Sequence, residues 1–171
     1  MSIESFKERL SCIPAKKSGK YLEKIALDMN VGPLLGGNTD TAEYYDLILS
    51  LFDNTEICSK RGTYRFVSIM YQDFKDLTLE QQNVLLEKFV CNYELFTDHS
   101  LRLFVTDLIA RCYDFETAIK AFEEIEKNNK TDTLDELFVG LDILIWGFGE
   151  STKEHLRIIK LCEKIQSRLV H

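Results

Sequence analysis

Carboxylates are the side chains of this sequence that offer the most chemistry, and they fall into two groups. The first is Glu43-Tyr44-Tyr45-Asp46, with Asp53 a short way beyond. The second is Glu123-Glu124-Ile125-Glu126, followed by Asp132, Asp135 and Glu136. If two helices faced one another, the second group could hold Mg²⁺ and serve an all-helical, Mg²⁺-dependent nucleotide-processing enzyme. Its spacing does not reproduce the two carboxylate motifs such enzymes use. The preferred reading is therefore a solvated helix face followed by a capped helix start, with no catalytic residue, metal or cofactor assigned. The first group suits an interface. A tyrosine ring supplies contact area at little cost in side-chain entropy, and flanking acids attract Lys or Arg and fix register. Tyr45, Ile48, Leu49 and Phe52 recur at helical spacing as a core stripe, so Tyr44 is expected to be the exposed ring.

Other chemistries find no support. Cys12, Cys58, Cys91, Cys112 and Cys162 are odd in number and widely spaced, which fits neither a disulfide framework nor a zinc site. Cys91, Cys112 and Cys162 fall on apolar stripes and are expected to behave as small core residues. His99, His155 and His171 match no His-Glu-x-x-His pattern. The segment Gly32-Pro-Leu-Leu-Gly-Gly-Asn38 looks like a phosphate loop but lacks the Lys-Ser/Thr pair, so it reads as a helix connector broken at Pro33.

The elements that must position these residues are helices. With only two prolines and eight glycines in 171 residues, apolar side chains recur at three- and four-residue intervals almost throughout. The expectation is an all-α single domain over residues 1–171 with about nine helices, either an irregular bundle or a short α-solenoid of stacked helix pairs. Thr78 with Gln81 reads as a capping box, and Ser18, Thr39, Asp98, Asp114, Thr131 and Ser151 as further helix starts. Leu134, Leu137, Phe138, Leu141, Leu144, Ile145 and Phe148 form one stripe, with Val139, Ile143 and Trp146 on the opposite side. A helix apolar nearly all round is expected to run through the middle of the fold. Phe-Val recurs at Phe66, Phe104 and Phe138, with spacings of 38 and 34 that suit stacked helix pairs. No apolar run is long enough to span a membrane, and the charged opening residues lack a signal-peptide core, which points to a cytoplasmic protein.

Charge is distributed unevenly around the net −7. Residues 1–25 carry +3, and the last helix carries another +3 through Lys153, Arg157, Lys160, Lys164 and Arg168, spaced along one face. That stripe is expected to be a solvated outer surface. Between Lys24 and Lys60 the balance is −6, and over residues 114–150 it is −7. Acidity of this kind speeds association with basic proteins and disfavours nucleic acid.

Size, acidity, helical content and the Glu43-Tyr44-Tyr45-Asp46 segment together resemble the small acidic all-helical immunity proteins with which bacteria neutralise their own nuclease toxins, including those of contact-dependent growth inhibition. The resemblance implies a binding protein and not an enzyme, one whose carboxylates occlude the active site of a basic toxin domain. On that reading Glu43, Tyr44, Asp46 and Asp53 meet the partner, with Glu123, Glu126, Asp132 and Asp135 as a second patch. A helical-repeat scaffold that binds a peptide and the Mg²⁺ enzyme remain alternatives. The reading requires the acids to gather into one outward-facing zone.

Overall fold

The computed structural model describes residues 2–34, 41–148 and 152–169, and every regular element among them is helical. In chain order they are α1 (Ile3–Ser11), α2 (Ser18–Leu34), α3 (Thr41–Leu51), α4 (Thr55–Cys58), α5 (Tyr64–Gln72), α6 (Leu79–Cys91), α7 (His99–Cys112), α8 (Phe115–Asn128), α9 (Leu137–Phe148) and α10 (Thr152–Leu169). These ten are one more than the periodicity suggests, and α4 is a single turn. The apolar stretch Phe66 to Tyr71 lies within α5.

Side chains satisfy the backbone N–H groups that helix starts leave open. Thr78 and Gln81 make the reciprocal capping box, and Asp98 and Asp114 accept from Leu101 and Thr117 backbone N–H. Ser2 and Asn54 cap α1 and α4 in the same way. Thr131 opens a single 3-10 turn, while Thr39, Ser151 and the Gly36-Gly37 pair lie outside the described residues. Pro33 does not break its helix, because α2 continues to Leu34. Proline has no N–H to give the carbonyl four residues back. That carbonyl, of Met29, instead accepts the Tyr44 hydroxyl at 3.2 Å.

Packing sorts the helices into two rows. A front row runs through successive contacts of α2, α5, α7 and α9, a back row through α3, α6 and α8, and α10 packs mainly on α9 and also on α8, which makes a bundle-like arrangement of two layers. Helix α1 packs on α2 and α3. Edge-on aromatic contacts fill part of the space between elements, with ring centroids 5.0 Å apart for Phe52 and Phe89 and 6.2 Å for Phe89 and Phe96. Two close approaches depend on glycine. A Cβ on Gly19 would lie 2.6 Å from the Arg61 carbonyl oxygen, and Gly62, at φ 102°, packs against Gly19 in return, fixing the start of α2 on the turn before α5. A Cβ on Gly140 would lie 2.5 Å from the Phe122 ring, which is how α9 comes close to α8.

Three expectations about the stripes need correction. Leu137, Leu141 and Leu144 of α9 are buried, but Val139 is exposed and Trp146 is 90% exposed, so the helix presents its second apolar side to solvent. Phe66, Phe104 and Phe138 all sit in the front row, yet Phe66 is buried and Phe104 exposed, so the repeated dipeptide does not mark equivalent positions. Cys91 is exposed and not a core residue, because it ends the outward stripe of α6 that includes Asn83 and Glu87.

Candidate functional site

The two groups of acids part company in the fold. Glu43, Asp46, Ser50 and Asp53 are exposed at helical spacing and form one stripe along α3 and just past its end. Glu43 pairs with Lys7 of α1 at 3.4 Å, Asp53 pairs with Lys88 of α6, and Asp46 accepts the Gln81 amide at 3.1 Å. Tyr44 is not part of that stripe. It is buried at 2% exposure, and burial, reinforced by the Asp73 carboxylate and Tyr45, raises its pKa so that it remains a hydrogen-bond donor. The α3 helix packs against α1 and α6, which leaves room in the core for both tyrosine rings.

The second group turns toward α10. Arg157 grips Glu123 through two hydrogen bonds of 2.9 Å and reaches Glu116 at 2.8 Å. Glu126 is 1% exposed and is held by Lys164 and Arg168, with Arg168 also donating to the Asn129 carbonyl. The basic stripe expected to be solvated therefore spends three of its five cations fastening α10 to α8. Arg157 holds the Glu123 carboxyl below its ordinary pKa. For Glu126, burial pushes upward, but the bonds from Lys164 and Arg168 outweigh it and the net direction is down. Asp132 and Asp135 remain exposed in the α8–α9 connection. Helix α6 stands between α3 and α8, so the two groups do not merge, and the continuous acidic zone that the sequence reading required is not formed.

Glu136 makes a third, separate arrangement. It is 2% exposed, accepts from His99 at 2.6 Å and pairs with Arg102 at 2.7 Å. Burial raises its pKa, and Arg102, backbone and His99 hydrogen bonds overcome this to lower it. Of the acids considered as Mg²⁺ ligands, Glu123, Glu126 and Glu136 are thus engaged at separate cationic sites, Glu124, Asp132 and Asp135 are exposed, and no group of three metal-ligating side chains converges among the described residues.

A different surface brings exposed groups together. Seven large apolar side chains are exposed among the described residues, and five of them, Leu27, Tyr71, Phe104, Val139 and Trp146, stand on the outer side of the front row. Two clefts lie on it. One, of about 580 Å³, is formed by Tyr71, Ala110, Arg111, Ile143, Trp146 and Gly147 from α5, α7 and α9. The other, of about 480 Å³, lies between α2 and α5, where Lys20, Lys24 and Arg65 stand beside Leu27, Ile69 and the single acid Glu23. Arg65 stacks over the Tyr64 ring at 4.8 Å, and that ring meets Phe104 of α7 at 5.1 Å.

Sequence reasoning missed this face, although its spacing was visible. Lys20, Lys24 and Leu27 follow at i, i+4 and i+7 on α2, opposite the buried Leu22, Ile25 and Met29. Val139, Ile143 and Trp146 repeat the same intervals on α9. What the sequence lacks is which side of each helix finds a neighbour. Comparison with protein-family models, curated proteins and solved structures found no match for this chain. No helix among the described residues is long and apolar enough to cross a membrane.

Proposed function

We propose that this chain is an all-helical protein-binding module, and that its working surface is the outer side of the α2–α5–α7–α9 row. One observation carries the reading: among the described residues, five of the seven exposed large apolar side chains gather on that side, with Trp146 90% exposed. Isolated apolar side chains on a surface need no explanation, but a contiguous set with aromatic members and a basic flank has the composition of an interface. Three of the acids a Mg²⁺-dependent enzyme would use, Glu123, Glu126 and Glu136, are committed to Arg102, Arg157, Lys164 and Arg168 at separate places, which favours binding over catalysis.

A second reading keeps the basic partner. Asp46, Glu80, Glu87 and Glu124 are exposed on α3, α6 and α8, and none forms an ion pair among the described residues. In that reading the chain is an immunity protein whose back row, and not the front row, occludes a basic toxin domain.

Site-specific photocrosslinking in the source cells separates the two. A photoreactive phenylalanine is placed at Leu27 or Val139 on the front row, and at Ser50 or Glu87 on the back row. Adducts of one discrete mass from Leu27 and Val139, lost when Trp146→Glu is added, are expected. Adducts from Ser50 and Glu87 alone would transfer the function to the acidic back row. No discrete adduct at any of the four would overturn protein binding itself.

A further inference from the structure

We infer that the front row takes an acidic amphipathic helix, lying across α2, α5, α7 and α9 with its carboxylates over the α2–α5 cleft and its apolar stripe along Leu27, Tyr71 and Trp146. This deepens the reading of the front row as an interface and rests on it.

Charge identifies the partner. Lys16, Lys17, Lys20, Lys24, Arg61 and Arg65 are all exposed at the start of α2 and on the turn into α5, held together by the Gly19–Gly62 contact. None of the six forms an ion pair among the described residues, and Glu23 is the only acid lining the cleft beside them. Of the other fifteen cations of this chain, at net −7, ten have acidic partners among the described residues, as with Lys88, Arg102, Arg157, Lys164 and Arg168. The remaining five, Lys75, Lys120, Lys127, Lys153 and Lys160, are spread over the turn after α5, α8 and α10 and do not gather beside an apolar cleft with a single acid. Cations left without a partner beside an apolar ridge are complementary to carboxylates that sit next to an apolar stripe.

Shape identifies the element. The ridge is not one deep groove but two hollows between parallel neighbours, which accept the side-chain ridges of a crossing helix. Four helices at ordinary packing distances span about 25–30 Å, and a helix of about eighteen residues covers that length. No sheet edge exists among the described residues to recruit an extended strand. A polyanion such as single-stranded nucleic acid would use the cations but would leave the aliphatic Leu27, Val139 and Ile143 unmatched, and the overall negative charge opposes it.

Trp146 is the single tryptophan of the chain, so its fluorescence reports on this face directly. The full chain is titrated with three tryptophan-free synthetic helices of about eighteen residues. All share one leucine stripe, and their polar positions are Glu, Gln or Lys. The Glu helix is expected to shift Trp146 emission to the blue in a saturable way. Its Kd should rise at least about tenfold in a Lys20→Glu/Lys24→Glu/Arg65→Glu variant, while the Lys helix gains binding to that variant. The gain rules out misfolding as the cause of the loss. Equal binding of the Gln and Glu helices would overturn the acidic partner and leave the apolar face standing as an interface. Preference for an oligothymidine strand over the Glu helix, or no shift with any helix, would overturn the inference, whereas the face as an interface is judged by crosslinking.

Discussion

The Tyr44 hydroxyl and Pro33 belong to one arrangement, although they lie in different helices. Pro33 leaves the Met29 carbonyl without an intrahelical donor, and Tyr44, carried on α3, donates to it. A buried acceptor left unpaired costs about 1–3 kcal/mol, so Tyr44→Phe should lower stability by roughly that amount. In a Pro33→Ala background the restored backbone N–H can take the carbonyl instead, and the same Tyr44→Phe change should cost less than half as much. Urea unfolding of the four proteins measures the coupling. Equal costs in both backgrounds would show that the hydroxyl does nothing for the proline. Tyr44 was expected to be exposed because Tyr45 already fitted the core stripe with Ile48, Leu49 and Phe52. A helix flanked on two sides buries an arc wide enough for adjacent residues, and nothing within the α3 sequence announces two flanking neighbours.

Charge pairing, not only apolar packing, fastens the last helix. Arg157, Lys164 and Arg168 of α10 meet Glu116, Glu123 and Glu126 of α8. The Glu123 and Glu126 carboxyls are depressed below their ordinary 4.5 in the folded chain. A carboxyl of that kind contributes stability that is fully present above its unfolded pKa and is lost as pH falls through the lower folded value. The urea midpoint is therefore expected to hold from neutral pH down to about 5 and to decline below about 4.5. Glu126→Gln should cost about 1–3 kcal/mol at pH 7 and progressively less as pH falls through the lowered folded value, where the wild-type carboxyl becomes neutral as well. A Glu126→Gln penalty independent of pH would remove ionisation from the account. The α10 helix was legible in the spacing of Ile158, Leu161 and Ile165, and its basic stripe was legible too. Its partners were not, since Glu126 lies 38 positions from Lys164 and 42 from Arg168 and only the turn back between α8 and α10 makes them neighbours. The same long range explains why two acidic blocks that look alike in sequence have different fates, one fastening a helix and the other lying on the surface. Trp146 escaped for the opposite reason: an all-round apolar helix suggests the middle of a fold, and only the position of α9 in a row with an open outer side leaves half of it exposed.

Helices at the ends of the rows are held by fewer neighbours than those inside, so local stability varies along the molecule. Helix α7 sits inside, packed on α5, α8 and α9, whereas α1 packs mainly on α2 and α3 and α10 is held by α8, α9 and the turn between them. Helix α10 also relies on two carboxylates that acid neutralises, Glu123 and Glu126, whereas α7 has the single Glu136 contact at its start and is otherwise held by buried Leu101, Val105, Leu108 and Ile109, which acid does not affect. Local opening should therefore begin at the α10 end and spread inward, with α7 opening only in global unfolding. Amide hydrogen exchange, corrected for the intrinsic pH dependence of the chemistry, measures this helix by helix. Amides around Val105 to Ile109 should be the most protected at neutral pH, and those around Ile158 to Ile165 less so. Moving to about pH 4 should reduce protection in α10 several-fold more than in α7, as its ion pairs weaken. Because Trp146 and its cleft lie on α9, the main neighbour of α10, loosening of α10 would reach that part of the proposed binding face before the α2–α5 cleft. Identical protection in α7 and α10 at both pH values would mean that the molecule opens as one cooperative unit.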